Sequence, residues 1–232
     1  MEINVSAEIR TERIEDLLFK ETKPILELKI EYPQIYGKVS GKCENGFNTY
    51  YLKSAARTNI YVRTEIYKNA VNTYKNSLKT GFPFNFMIFE RTLFNTFNDG
   101  SFISLYFDTY KYEGGAHGMT VRTAETWSLT TGGIIPLASF FVKGFDFRRF
   151  IAERISKTIK SDLEDKESVY YKNAPERCKQ LFNEKRYYLS DTGFIFYYPS
   201  YSIAPYCAGI RTFEIPFEDF GRNLKYIPNR MT

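Results

Sequence analysis

Residues 24–32 alternate Ile25, Glu27, Lys29 and Glu31 with Leu26, Leu28 and Ile30, the two-residue period of a strand with one buried face. Pro33 and Gly37 punctuate that run and predict its end. Over 48–78 the period turns helical. Leu52, Ala55, Val62, Ile66, Ala70, Tyr74 and Leu78 recur at spacings of three, four and seven, with Lys, Arg and Asn on the other side. At about 1.5 Å per residue such a helix runs about 45 Å and calls for a long partner, most simply a sheet face. Gly81 and Pro83 predict its end.

Two aromatic-rich runs follow, 84–97 and 101–112, joined by Asn98, Asp99 and Gly100. Asp-Gly favours a tight hairpin because glycine takes positive φ without strain. A third run, 120–129, alternates Val121, Thr123, Glu125, Trp127 and Leu129 with Thr120, Arg122, Ala124, Thr126 and Ser128, and stops at Thr130-Thr131-Gly132-Gly133. This predicts an antiparallel meander whose second and third strands are joined by the loop that holds His117. Helical spacing returns over 146–164, where Phe147, Phe150, Ile151, Ile155, Ile159 and Leu163 share a face and Asp146 suits an N-cap. A shorter helix over 175–183 opens on proline. Two closing strands, 193–198 and 210–217, flank the loop 199–209 and are expected in the meander's sheet. The pattern is α+β: an antiparallel sheet with a long N-terminal helix and a helical insertion, in two intimately packed subdomains. The expected division is a smaller module, 1–82, of strand plus long helix, and a larger one, 83–232, of meander, helices and closing strands.

Composition narrows the picture. Aromatics make up 18% of the 232 residues, 21 Phe and 19 Tyr against one Trp, which points to a β-rich core. A charged fraction of 25% is that of a folded domain. The net charge of +5 is spread along the chain without a basic cluster, so no nucleic-acid partner is expected. Cys43, Cys178 and Cys207 are odd in number and form no C-x-x-C pair. They read as reduced thiols, with one disulfide plus a free thiol as the alternative. No run approaches the ~20 apolar residues of a membrane span. The first ten residues carry neither a basic n-region nor an apolar h-region, so no signal peptide is expected.

Candidate chemistry concentrates in 110–118, Tyr-Lys-Tyr-Glu-Gly-Gly-Ala-His-Gly, which holds Tyr112, Glu113, Gly114, Gly115, Gly118 and the sole histidine, His117. A nucleophilic triad would need that imidazole beside an activated serine or cysteine, and no G-x-S-x-G elbow occurs. A metal held by His117, Glu113 and Asp108 would lack a second histidine and any H-x-x-x-H or H-E-x-x-H spacing. Neither a P-loop nor a dinucleotide-binding glycine pattern is present, so no metal and no cofactor is expected. Glycoside hydrolysis could draw a carboxylate pair from Asp108, Glu113 and Glu125, yet no spacing singles out two of them. The expectation is a chain without catalysis of its own, and the rival is a cell-wall glycan hydrolase using Glu113 and Asp108. Tyr201, Pro205 and Tyr206 in the loop 199–209 would suit recognition of protein or glycan. The other reading makes both loops internal, with Tyr112, His117 and Tyr206 as buried, hydrogen-bonded staples.

The loop 110–118, the run Thr131-Gly-Gly-Ile-Ile-Pro-Leu137 with Phe140 and Phe141, the run Tyr201-Ser-Ile-Ala-Pro-Tyr-Cys-Ala-Gly209, and Phe213-Glu-Ile-Pro216 together resemble one known module. It is the domain of unknown function at the C-terminal end of RsiV-type anti-sigma factors and beside the catalytic domain of a peptidoglycan deacetylase. Glu31-Tyr-Pro-Gln-Ile-Tyr-Gly37, with Phe47 and Asn48, resembles the smaller module that usually precedes it. The resemblance implies an extracytoplasmic recognition module. RsiV-type proteins bind lysozyme there, and catalysis in the deacetylase belongs to a separate domain. The implied partner is lysozyme, another envelope protein or a wall glycan, met through the two loops. Unlike the membrane-bound members, this chain is expected to carry no transmembrane helix, sigma-binding segment or signal peptide.

Overall fold

A computed structural model describes residues 7–37 and 39–226. The fold is α+β, and its residues cluster into two compact units. The first comprises 1–94, 107–121 and 131–133, and the second 95–106, 122–130 and 134–232.

In the first unit, β1 (Glu8–Lys20) and β2 (Lys23–Tyr36) form an antiparallel hairpin. β2 then pairs in parallel with β3 (Met87–Asn98), from Leu26 opposite Met87 to Ile30 opposite Arg91. Parallel neighbours need a long crossover, because the chain must return to the end where it began. Here the crossover is continuous helix: α1 (Gly41–Tyr61), one π turn (Val62–Ile66) and α2 (Tyr67–Thr80). The expected meander therefore belongs to a mixed sheet. Its order is β1-β2-β3-β4-β5-β6, with β4 (Phe102–Tyr112), β5 (Met119–Ser128) and the short β6 (Gly133–Ile134).

The helix starts seven residues before its expected position, at a turn where the Ser40 hydroxyl accepts from the Cys43 N–H at 3.2 Å. Its buried stripe is Cys43, Phe47, Tyr51, Ala55, Val62, Ile66 and Ala70; Leu52 and Leu78, expected on that face, are exposed. A spacing of four overshoots a 3.6-residue turn, so such a stripe drifts around the helix. The π turn takes more residues per turn and rotates the stripe back over β2, where Leu26, Leu28 and Ile30 are buried with Met87 and Phe89. Asn48 fixes the starting end: its side chain accepts from the Ile35 N–H at 2.8 Å and donates to the Ile35 carbonyl at 3.0 Å. β2 runs through Pro33 to Tyr36, beyond the expected stop. Pairing with β3 ends at Ile30, so a residue without an N–H interrupts no ladder on that side.

In the second unit, β7 (Tyr187–Leu189), β8 (Gly193–Tyr198) and β9 (Arg211–Pro216) form an antiparallel sheet of their own. The closing strands, expected in the meander's sheet, thus do not join it. The edge position there is filled by β6, and β8 instead pairs with β7 and β9. α3 (Phe147–Asp162) starts at Asp146, whose carboxylate accepts from the Arg149 N–H at 3.2 Å, and α4 (Ala174–Gln180) has proline in its first turn. The core is aromatic. Phe194 meets Phe140, Phe217 and Phe220 edge-on at centroid distances of 5.3, 5.1 and 5.4 Å. Gly193 permits the close β8–β9 approach, since a Cβ there would lie 2.4 Å from the Ile215 carbonyl oxygen. The hairpin at 98–101 holds as its Asp-Gly pair suggests: Asp99 Oδ1 accepts from the Ser101 and Phe102 N–H groups, and Gly100 has φ +80°.

All three cysteines are free thiols; Cys43 and Cys178 are buried and Cys207 is exposed. Burial raises the pKa of both inner thiols, that of Cys178 to about 11. A thiol reagent near neutral pH should therefore modify Cys207 alone in the native chain and reach the others only on denaturation. Mass spectrometry counts the adducts, and native modification of all three would contradict this packing.

Candidate functional site

The loop between β4 and β5 lies in the first unit. Gly114 has φ +85° and turns the chain, and Asn85 Nδ2 donates to the Gly114 carbonyl at 2.8 Å. Gly118 is buried against Tyr110: a Cβ there would stand 2.3 Å from the ring. The loop's glycines thus serve one turn and one close contact, and between them Gly115, Ala116 and His117 are exposed. His117 Nδ1 lies 2.9 Å from the Gly118 carbonyl oxygen, which only accepts, so this nitrogen carries the proton in that bond. Nε2 is the ring's remaining polar atom.

Glu113 is half-buried at the loop's root. Lys111 Nζ stands 2.7 Å from its carboxylate, and Asn69 Nδ2 of α2 donates to it at 3.0 Å. The Lys111 hydrogen bond holds the Glu113 carboxyl below the usual carboxylate range, against the opposing effect of partial burial. Lys111 and Glu113 line an open groove of about 520 Å³ with Tyr61, Phe89, Thr109, Met119 and Val121. Sequence reasoning missed Tyr61 and Asn69, which the helical crossover brings from more than forty residues upstream. Tyr112, on β4, is half-buried.

The loop 199–209 belongs to the second unit. It is anchored by the buried Ile203 and Ala204, by Arg177 Nε donating to the Ser202 carbonyl at 2.7 Å, and by the Tyr171 N–H donating to the Ile203 carbonyl. On that anchor Tyr201 has φ +66°, a left-handed conformation uncommon for an aromatic residue. Its ring stacks on Tyr206 at 5.6 Å and 29°, and it is 46% exposed; Pro205 and Tyr206 are half-buried. The structure therefore gathers Tyr201 and Tyr206 into one aromatic pair and Glu113 with Lys111 into one ion pair, on different units. Among the described residues no group of three or more His, Cys, Asp or Glu side chains is placed to hold a metal.

Two family models match successive stretches of the chain. Residues 19–120 match the family described as Deacetylase PdaC, and residues 138–218 match a family described as protein of unknown function DUF3298. The chain thus resembles a tandem of a PdaC-type module followed by a DUF3298 module, the second of which has no assigned function. The fold agrees. A crystal structure of a DUF3298-family member from Bacteroides fragilis superposes with a TM-score of 0.76 at 17% identity, covering 96% of this chain and 95% of that one. A DUF3298-family protein from Pseudomonas aeruginosa superposes at 0.63 and 15% identity, with 96% and 98% covered. No curated protein matches the chain significantly.

The Glu113 pair gives a pH signature. Its folded pKa lies below the unfolded one, so its stabilisation is present above the ordinary carboxylate value and is lost as pH falls through the lowered value. Glu113→Gln should lower the urea midpoint at about pH 7 and differ little from wild type at about pH 3. An equal gap at both pH values would contradict the pairing with Lys111.

Proposed function

We propose that this chain is a non-catalytic recognition module of the bacterial cell envelope that binds a protein of the lysozyme type through its two loops. The observation that carries the proposal is exposure on a braced scaffold. His117 stands out of a turn tied down at Gly114 and Gly118, and Tyr201 stands out of a loop tied down at Ile203 and Ala204. Loops held on rigid elements are where recognition is commonly built, because little conformational entropy is lost on binding.

The electrostatics argue against the hydrolase rival. A general acid in glycoside hydrolysis needs a raised pKa so that it holds a proton at working pH. Glu113 is shifted the other way by Lys111 and stays an ion-paired acceptor. A wall glycan is the second reading, supported by the Tyr201–Tyr206 stack, since an exposed tyrosine ring offers a flat face to the C–H side of a sugar.

Calorimetry of the whole chain against lysozyme tests the first reading. A micromolar or tighter constant should weaken about tenfold or more, about 1.4 kcal/mol, in Tyr206→Ala, with the melting curve showing that the variant is folded. Absence of heat, or binding indifferent to the substitution, would overturn the proposed role of that loop. Retention of the chain on purified peptidoglycan in place of lysozyme would decide for the glycan.

A further inference from the structure

The two most exposed large hydrophobic side chains of the described chain are Phe82, at 75%, and Leu78, at 68%. They lie four residues apart at the end of α2, where Gly81 takes φ +75° and ends the helix. Neither loop discussed above includes them. The helix carries them beyond Ala70, its last buried residue. Tyr67, at the start of α2, already donates its hydroxyl to the Phe19 carbonyl near the close of β1, and α2 continues to Thr80. Thirteen further residues at about 1.5 Å each extend it about 20 Å beyond that bond. Tyr74 and Phe84 pack edge-on at 5.4 Å and brace the tip from inside, leaving Leu78 and Phe82 outside.

Along the chain the charge of this tip has one sign. Between Glu65 and Glu90 the chain has no acidic residue, while Lys68, Lys75 and Lys79 fall on α2. The β1–β2 turn closes at the same end, as the parallel match of Leu26 with Met87 requires, and adds Lys20 and Lys23. Its one acid, Glu21, is paired with Lys20 at 3.1 Å. An apolar leucine–phenylalanine tip flanked by the exposed Lys75 and Lys79 is complementary to a surface that is anionic at its face and hydrocarbon just beneath. That combination describes a bilayer of anionic lipid.

We propose that the Leu78–Phe82 tip of the first unit docks on an anionic membrane surface, with both side chains entering the interface and Lys75 and Lys79 at headgroup level. No helix among the described residues is long and apolar enough to cross a membrane, and the attachment proposed for the tip is a peripheral one. It requires nothing of the two recognition loops, and it stands or falls separately from ligand binding there.

Flotation of the whole chain with vesicles tests the proposal. The chain should float with vesicles of phosphatidylglycerol and phosphatidylcholine in equal parts and stay behind with phosphatidylcholine alone. High salt should release it, because lysine–headgroup attraction is screened. Leu78→Ser with Phe82→Ser, and separately Lys75→Glu with Lys79→Glu, should each weaken vesicle binding about tenfold or more. All four side chains lie on the outer side of the tip, and unchanged melting curves confirm that the variants fold. No flotation with anionic vesicles, equal flotation with neutral ones, or flotation that both double variants leave unchanged would overturn the proposal. So would a concentration-dependent dimer in sedimentation that Phe82→Ser abolishes, which would assign the tip to a second copy of the chain.

Discussion

The first unit depends on one constraint, the parallel pairing of β2 with β3. Two strands that run the same way can be joined only by a segment that travels the full length of the sheet, and here that segment is the helical crossover from Gly41 to Thr80. Several local features follow. The buried stripe from Cys43 to Ala70 must stay on the sheet side for about eight turns of helix, which explains the π turn at Val62–Ile66. The crossover must be pinned where it begins, which Asn48 does through both backbone groups of Ile35. Arg91, at the last matched position of β3, stacks its guanidinium 3.9 Å above the Phe107 ring and donates to Ser54 and Thr58 of α1, tying helix to strands.

That frame sets what the β4–β5 loop can do. Tyr110 occupies the space a side chain at position 118 would need, and Asn85, just before β3, holds the Gly114 carbonyl. The loop's ends are therefore specified by neighbours, while its crest is free to meet solvent. The second unit reaches a similar arrangement by other means. Buried Ile203 and Ala204 sink the middle of a loop whose Tyr201 stands outside, in a unit whose core is built from edge-on phenylalanines. In both cases a buried residue lies within three places of an exposed one, Gly118 beside His117 and Ala204 after Tyr201.

Much of this was legible in the chain, and the exceptions have physical causes. Alternation revealed β2 and β5, and the Asp99-Gly100 pair revealed its hairpin, because these signals are local. β1 was invisible. Seven of its thirteen residues are charged, which suits the edge of a sheet and erases any apolar period. Which strands pair, and in which direction, is a long-range choice that no local period encodes; hence the parallel β2–β3 contact and the separate β7–β8–β9 sheet were found only in the structure. The candidate site divides the same way. Glu113, His117 and Tyr201 could be named from their loops, whereas Tyr61 reaches the groove and Asn69 reaches Glu113 from a helix whose register over the sheet was not readable.

The central claim is that binding is the work of exposed loop crests on frames that do not rearrange. Amide hydrogen exchange with and without lysozyme tests it most directly, since exchange reports local opening residue by residue. The account predicts new protection within 113–118 and 199–209, with the amides of β2, β3 and the helical crossover exchanging as they do in the free chain. Protection spread through β2 and the helix, or slowed exchange at neither loop in a demonstrated complex, would contradict it.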